Sequence, residues 1–160
     1  MIIKTHNYMK KTTTILFLII SINSILAQDL CEGRYAEEIF DDVEITTVTY
    51  SDVHNLQMDI YQPVGDIETN RPLIIFAHGG TFITGSKNNS TAVDFCEAFA
   101  KRGYVTASIN YRLAADIVGF LQSFIFYTDT QMAYDVVLNA TMDGKAAIRY
   151  FRKEFFENGN

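Results

Sequence analysis

The 160-residue chain has no tryptophan, only two prolines and two cysteines, and a deficit of positive charge, with 13 Lys and Arg against 19 Asp and Glu. Each shortage excludes something. A formal net charge of −6 leaves no electrostatic footprint for nucleic-acid binding. Two cysteines cannot frame a disulfide-dense mini-domain. Without Cys-x-x-Cys, His-Glu-x-x-His or a phosphate-loop pattern, the common short motifs for zinc and nucleotide binding are absent. The acidic pairs Glu37-Glu38 and Asp41-Asp42 lack the ligand spacing of a calcium loop and read as solvated surface, so no metal site is expected. There is no internal repeat and no low-complexity segment. What remains is an ordinary globular composition, 48% hydrophobic and rich in Phe and Tyr, with length for one domain at most.

The first 27 residues read as a secretory signal peptide. Lys10 and Lys11 form a positive head, residues 15–20 and 22–26 are almost entirely apolar, and Ala27 is a small residue before a cleavage point. The apolar stretch is short for a spanning helix, which needs about 20 residues; an uncleaved anchor is the lesser reading. A secreted or periplasmic location is therefore expected. Leu30 precedes Cys31 where a lipid-anchor signal wants a small residue. In an oxidising compartment Cys31 and Cys96 can form one disulfide, and the alternative is two buried free thiols. Asn88, Asn89 and Asn139 head glycosylation-type triplets, which matter only on a eukaryotic secretory route.

Residues 28–43 form a polar lead-in, and residues 44–160 a single domain. Residues 43–50, rich in Val, Ile and Thr, predict a strand, and Ser51 to Asn55 carries turn chemistry. Residues 56–61 alternate as a half-buried strand, completing an antiparallel hairpin. Leu73 to Ala77 is the uninterrupted run of a fully buried parallel strand. Helical spacing over residues 92–100, with Ser90 or Thr91 as cap and Gly103 as stop, predicts a helix. Another strand spans residues 104–109. Residues 117–127 are apolar without a deciding period. A long helix capped by Thr128-Asp129 runs to about Glu157, weakened in the middle by Gly144. Strand–helix–strand implies a parallel pair with a right-handed crossover, and ligands in such sheets bind at the carboxyl ends of the strands.

At such an end lies the sequence Phe76-Ala77-His78-Gly79-Gly80-Thr81-Phe82. Adjacent glycines let backbone N–H groups approach a ligand oxygen, as an oxyanion hole requires; the bland alternative is a tight turn with no ligand. Together with Gly85-Ser86 and Asn110-Tyr111-Arg112-Leu113, this stretch resembles the α/β-hydrolase family, nearest its secreted carboxylesterase and lipase-like branch, over roughly residues 44 to 157. The resemblance implies an α/β fold in which an antiparallel hairpin leads into a parallel β-α-β-α unit, the N-terminal half of the family's domain. It implies ester hydrolysis by acyl transfer, no cofactor, and Gly79, Gly80 and Thr81 as oxyanion-hole donors. Thr81 stands where many relatives have a third glycine. His78 would shape the loop, and Tyr111 and Arg112 would be scaffold, Arg112 as a clamp rather than a substrate ligand.

The family's nucleophile sits in Gly-x-Ser-x-Gly, followed by an acid and a His. No serine here has Gly at both −2 and +2, and His6, His54 and His78 all precede the position of that base. The expectation is therefore an N-terminal portion of a hydrolase that carries the oxyanion loop but no triad residue. Its parent would take a small-molecule ester, and the chain alone would be inactive. A non-enzymatic exported binding module, or one half of a split hydrolase, are the alternatives. Without the family's next strand, Leu73–Ala77 becomes a sheet edge open to self-association.

Overall fold

The computed structural model describes residues 33–158, and from Tyr35 onward these form one compact unit. The expected signal segment and Cys31 lie outside the described residues. Strand β1 (Val43–Ser51) turns back through Asn55, whose φ of 50° and N–H to Asp52 O bond close the turn, into β2 (Leu56–Pro63). The two pair antiparallel, Val43 opposite Pro63, with a bulge between Thr49 and Ser51. Strand β3 (Leu73–Ala77) leads through a loop into α1 (Ser90–Ala100), and β4 (Val105–Ile109) follows. The order in the sheet is β1-β2-β4-β3, with β2 and β4 antiparallel and β3 and β4 parallel.

The helix cap is neither of the two residues expected. The side chain of Asn89 accepts from Thr91 N at 2.9 Å, one position earlier than Ser90. Asn at this position satisfies one of the amide groups that a helix start leaves without a partner. At the other end of α1, the carbonyls of Lys101 and Arg102 accept from Ile39, Phe40 and Tyr35, so the polar lead-in is tied to the domain by its backbone.

After β4 the undecided apolar segment becomes a short helix α2 (Ala114–Val118) and two 3₁₀ turns (Gln122–Phe124 and Phe126–Thr128). Asp129 caps the long helix α3 (Thr130–Asn158), accepting from Gln131 N and Met132 N at 2.9 and 3.0 Å. Gly144 does not break α3. Arg112 ties the segment after β4 to α3 with a forked pair. Its Nε donates to Asp143 Oδ2 at 2.9 Å and its Nη2 to Oδ1 at 2.7 Å, while its backbone N–H also reaches Oδ2. This is the clamp role expected of Arg112. These bonds hold its guanidinium above the ordinary Arg range.

Helix α3 covers one face of the sheet and α1 the other. Met58, Ile60, Ala107 and Ile109 pack with Ala147 and Phe151 of α3. Tyr61 and Phe76 pack with Phe95, Cys96 and Ala100 of α1. Two helices on opposite faces explain the first departure from the sequence reading. Alternation in β2 predicts a half-buried strand, but Asp59 and Tyr61 on its polar side are buried as well as Met58 and Ile60. The second departure concerns the burial of β3. It pairs in parallel with β4 and lies at the sheet edge among the described residues, both as expected, but its side chains are at most half buried where the apolar run predicts full burial.

Cys96 is fully buried in the α1 face of the core, and its expected partner Cys31 lies outside the described residues. Burial pushes this thiol up from 9.0 to about 11, which keeps it protonated and unreactive. Its neighbour in the same cluster, Tyr61, is held at about 12 by burial and by the Asp59 carboxylate.

Candidate functional site

The site is built on the loop that leaves the carboxyl end of β3. His78, its first residue, is buried: its ring stacks on Tyr111 with centroids 4.4 Å apart and planes 18° from parallel. Tyr111 stands two residues beyond β4, so the parallel register of β3 and β4 delivers the two rings side by side. The phenol donates to His78 O at 2.7 Å, and burial raises its pKa, keeping the donor proton in place. His78 Nδ1 lies 2.8 Å from Gly79 O and, facing a carbonyl, is the donor. A ring covered on its face and engaged at Nδ1 braces the loop, as expected of His78.

Beyond Gly79 the backbone turns left-handed through three residues, with φ of 122° at Gly80, 53° at Thr81 and 62° at Phe82. Gly80 O gathers the turn, accepting from Ile83 N, Thr84 N and Thr81 Oγ1 at 3.0, 3.2 and 2.8 Å. A β-branched and an aromatic residue in this region cost on the order of 1–3 kcal/mol each, and such strain persists only where the surroundings enforce it. The sequence marks only the glycines as bend residues; Thr81 shares the strain.

The three glycines of the loop do different work. A Cβ on Gly80 would lie 1.9 Å from Thr84 O, so the turn itself forbids a side chain there. A Cβ on Gly85 would meet His78 Nδ1 at 2.3 Å and Gly79 O at 2.6 Å. Gly79 is exposed, has no left-handed φ, and a Cβ there would meet nothing within 4 Å. Its missing side chain leaves open space on the solvent side of the loop. The N–H groups of Gly79, Gly80 and Thr81 donate to no carbonyl among the described residues. Consecutive unpaired N–H groups in a fixed turn form a concavity suited to an anion or a polarised carbonyl oxygen.

Lys87 lies near the end of the loop. Its ammonium is buried and donates to Asp59 Oδ2 at 2.6 Å and Asn88 Oδ1 at 3.1 Å. Asp59 also accepts from Thr47 Oγ1 at 2.6 Å. The backbone of Lys87 is held too, its N–H by Asn110 Oδ1 at 2.7 Å and its carbonyl by Ser108 Oγ at 2.8 Å. A lysine in a polar loop reads as surface, and nothing local marks it otherwise. Asp59, a charge in mid-strand between Met58 and Ile60, was the one available signal. On the other flank, Phe82 and Ile83 pack against the buried cluster of Ala114, Phe126 and Val136, and Phe82 O accepts from Ala114 N at 2.6 Å. The segment beyond α2 then exposes Phe120, Leu121, Phe124, Ile125 and Tyr127. Ser86, beside Gly85, accepts from Asn88 N at 3.3 Å.

Residues 58–122, which run from β2 through the loop to the segment beyond α2, match the BD-FAE family model. A thermophilic esterase of the Planctomycetes species Thermogutta terrifontis, solved with butyrate bound, superposes with a TM-score of 0.50 and 26% identity, over 69% of this chain and 34% of that one. The chain carries an esterase-like part of the α/β-hydrolase fold. Esterase B of Lactobacillus Rhamnosis is 27% identical over 69% of this chain and 36% of its own, with a TM-score of 0.42. The neuroligin-like protein glit-1 of Caenorhabditis elegans is 40% identical over 62 residues, 38% of this chain and 8% of that protein. This α/β-hydrolase chain thus spans about a third of the length of the esterases and under a tenth of the neuroligin-like protein.

The geometry separates the glycines by experiment. Gly80→Ala and Gly85→Ala should each lower the thermal midpoint, by several degrees for a loss of roughly 1–3 kcal/mol. Gly79→Ala should leave the midpoint within a degree or two. Equal losses at all three positions in thermal unfolding would contradict the assignment of Gly79 to open space.

Proposed function

We propose that this chain supplies the oxyanion-binding side of a carboxylic-ester hydrolase, with Gly79, Gly80 and Thr81 as the backbone donors. In acyl transfer a nucleophile adds to the ester carbonyl, whose oxygen becomes an anion until the alcohol leaves. Donors already aimed at that oxygen lower the barrier without having to reorganise. The observation that carries the reading is the left-handed turn that begins at Gly80, with the N–H groups of Gly79, Gly80 and Thr81 donating to no backbone acceptor among the described residues. The esterase-like fold supports it, as does the open space over Gly79. The absence of Gly-x-Ser-x-Gly and of a later histidine supports placing the nucleophile and base outside this chain, which alone is then inactive. No cofactor enters this chemistry. The positive head and apolar run of residues 10–26 support export, so the ester is met outside the cytoplasm.

Butyrate, the ligand of the Thermogutta esterase structure, is the probe. Titrated into ¹⁵N-labelled full chain, it should shift the amides of Gly79, Gly80 and Thr81 in a saturable way, while the chain hydrolyses p-nitrophenyl acetate no faster than buffer. Unmoved loop amides would overturn the donor assignment. Turnover abolished by a fluorophosphonate would overturn the placement of the nucleophile.

The exposed edge of β3 supports a second property of the same chain, pairing with another copy through Leu73–Ala77. Sedimentation of the purified chain should then give species larger than a monomer that a Lys at Ile75 (Ile75→Lys) reduces. A monodisperse monomer at all concentrations would refute the pairing.

A further inference from the structure

We propose that the buried Asp59–Lys87 ion pair positions the left-handed turn over residues 80–82 and so sets the direction of its N–H donors, rather than serving mainly to stabilise the fold. The inference rests on the reading of that turn as an oxyanion site. Lys87 follows the turn by five residues and is tied to the sheet three ways, through its ammonium to Asp59 on β2, its N–H to Asn110, and its carbonyl to Ser108 on β4. At the other end, Tyr111 holds His78 by stacking and by a hydrogen bond. The strained residues therefore lie between two fixed points, and both points are carried by the strand end of the same sheet.

An ion pair is a poor choice for stability in such a place. Desolvating two charges offsets most of their attraction, and well-packed apolar residues of similar size commonly do as well or better. What an ion pair adds is direction. The Lys87 ammonium must reach Asp59 Oδ2, whose other oxygen is already held by Thr47. That leaves little freedom in where the loop returns to the sheet. Left-handed φ values at Thr81 and Phe82 are maintained only if the surroundings over-determine them. Releasing the Lys87 end gives the turn a route to relax, with the N–H groups swinging away from a common target.

The test uses the ¹⁵N-labelled full chain and two variants, the double substitution Asp59→Leu with Lys87→Met, and Lys87→Arg. The double variant should unfold cooperatively with a midpoint within a few degrees of the parent. Its amide order parameters at Gly80, Thr81 and Phe82 should fall from the rigid range near 0.85 to below about 0.6, while those of β2 and β4 stay unchanged. Lys87→Arg, which keeps the charge, should keep the turn rigid. A turn that stays rigid in the double variant overturns the proposal. So does loss of order in the turn and β4 together, or a double variant that does not fold, because the pair would then be holding the fold. Lys87→Arg behaving like the double variant also counts against it. A rigid turn that ignores butyrate would instead sink the oxyanion reading and leave the positioning claim standing.

Discussion

The buried contact between the Lys87 ammonium and the Asp59 carboxylate is the constraint on which the site depends. Both charges have left water, so each is tolerable only because the other is there. That mutual need fixes the return of the loop after β3 against β2 and β4. With His78 held under Tyr111 at the other end, the backbone between has few ways to run. It runs through a left-handed turn that a free peptide would avoid, and the N–H groups of Gly79, Gly80 and Thr81 find no backbone acceptor among the described residues.

The rest of the architecture serves this arrangement. Parallel pairing of β3 with β4 brings His78 beside the residues that follow Ile109. Asn110, Tyr111 and Arg112 then each hold a different partner: Lys87 N–H, His78 O and Asp143. Tyr50 adds a fourth tie, its hydroxyl donating to Asn110 O, and burial raises the pKa of that phenol. One short stretch after β4 thereby joins the loop, the hairpin and α3. A fold in which the site's supports come from the ends of two neighbouring strands keeps those supports rigid while the loop itself faces solvent.

Much of this was legible in the sequence, because the signals are local. Val- and Ile-rich runs bounded by turn residues marked four strands, and Asp129 marked the start of α3. His78-Gly79-Gly80 marked the loop because two glycines after a buried run have few other uses. What escaped the sequence is non-local. Asp59 looks like the solvent side of an alternating strand until α1 covers that face, and Lys87 looks like surface until Asp59 is opposite it. The strain at Thr81 and Phe82 has no sequence signal at all, since both residues disfavour the conformation they adopt. The apolar segment around Phe120 to Tyr127 defeated periodicity because it forms 3₁₀ turns, whose pitch matches neither pattern.

The central claim is that the fold holds Gly80 and Thr81 rigidly while leaving their N–H groups without an internal acceptor. Native-state amide hydrogen exchange tests it directly. The account predicts slow exchange at Thr106, Ala107 and Ser108 in β4, limited by global unfolding, and exchange at Gly80 and Thr81 faster by several orders of magnitude. Protection of Gly80 and Thr81 equal to that of β4 would mean that those donors are already satisfied within the protein, and would contradict the account.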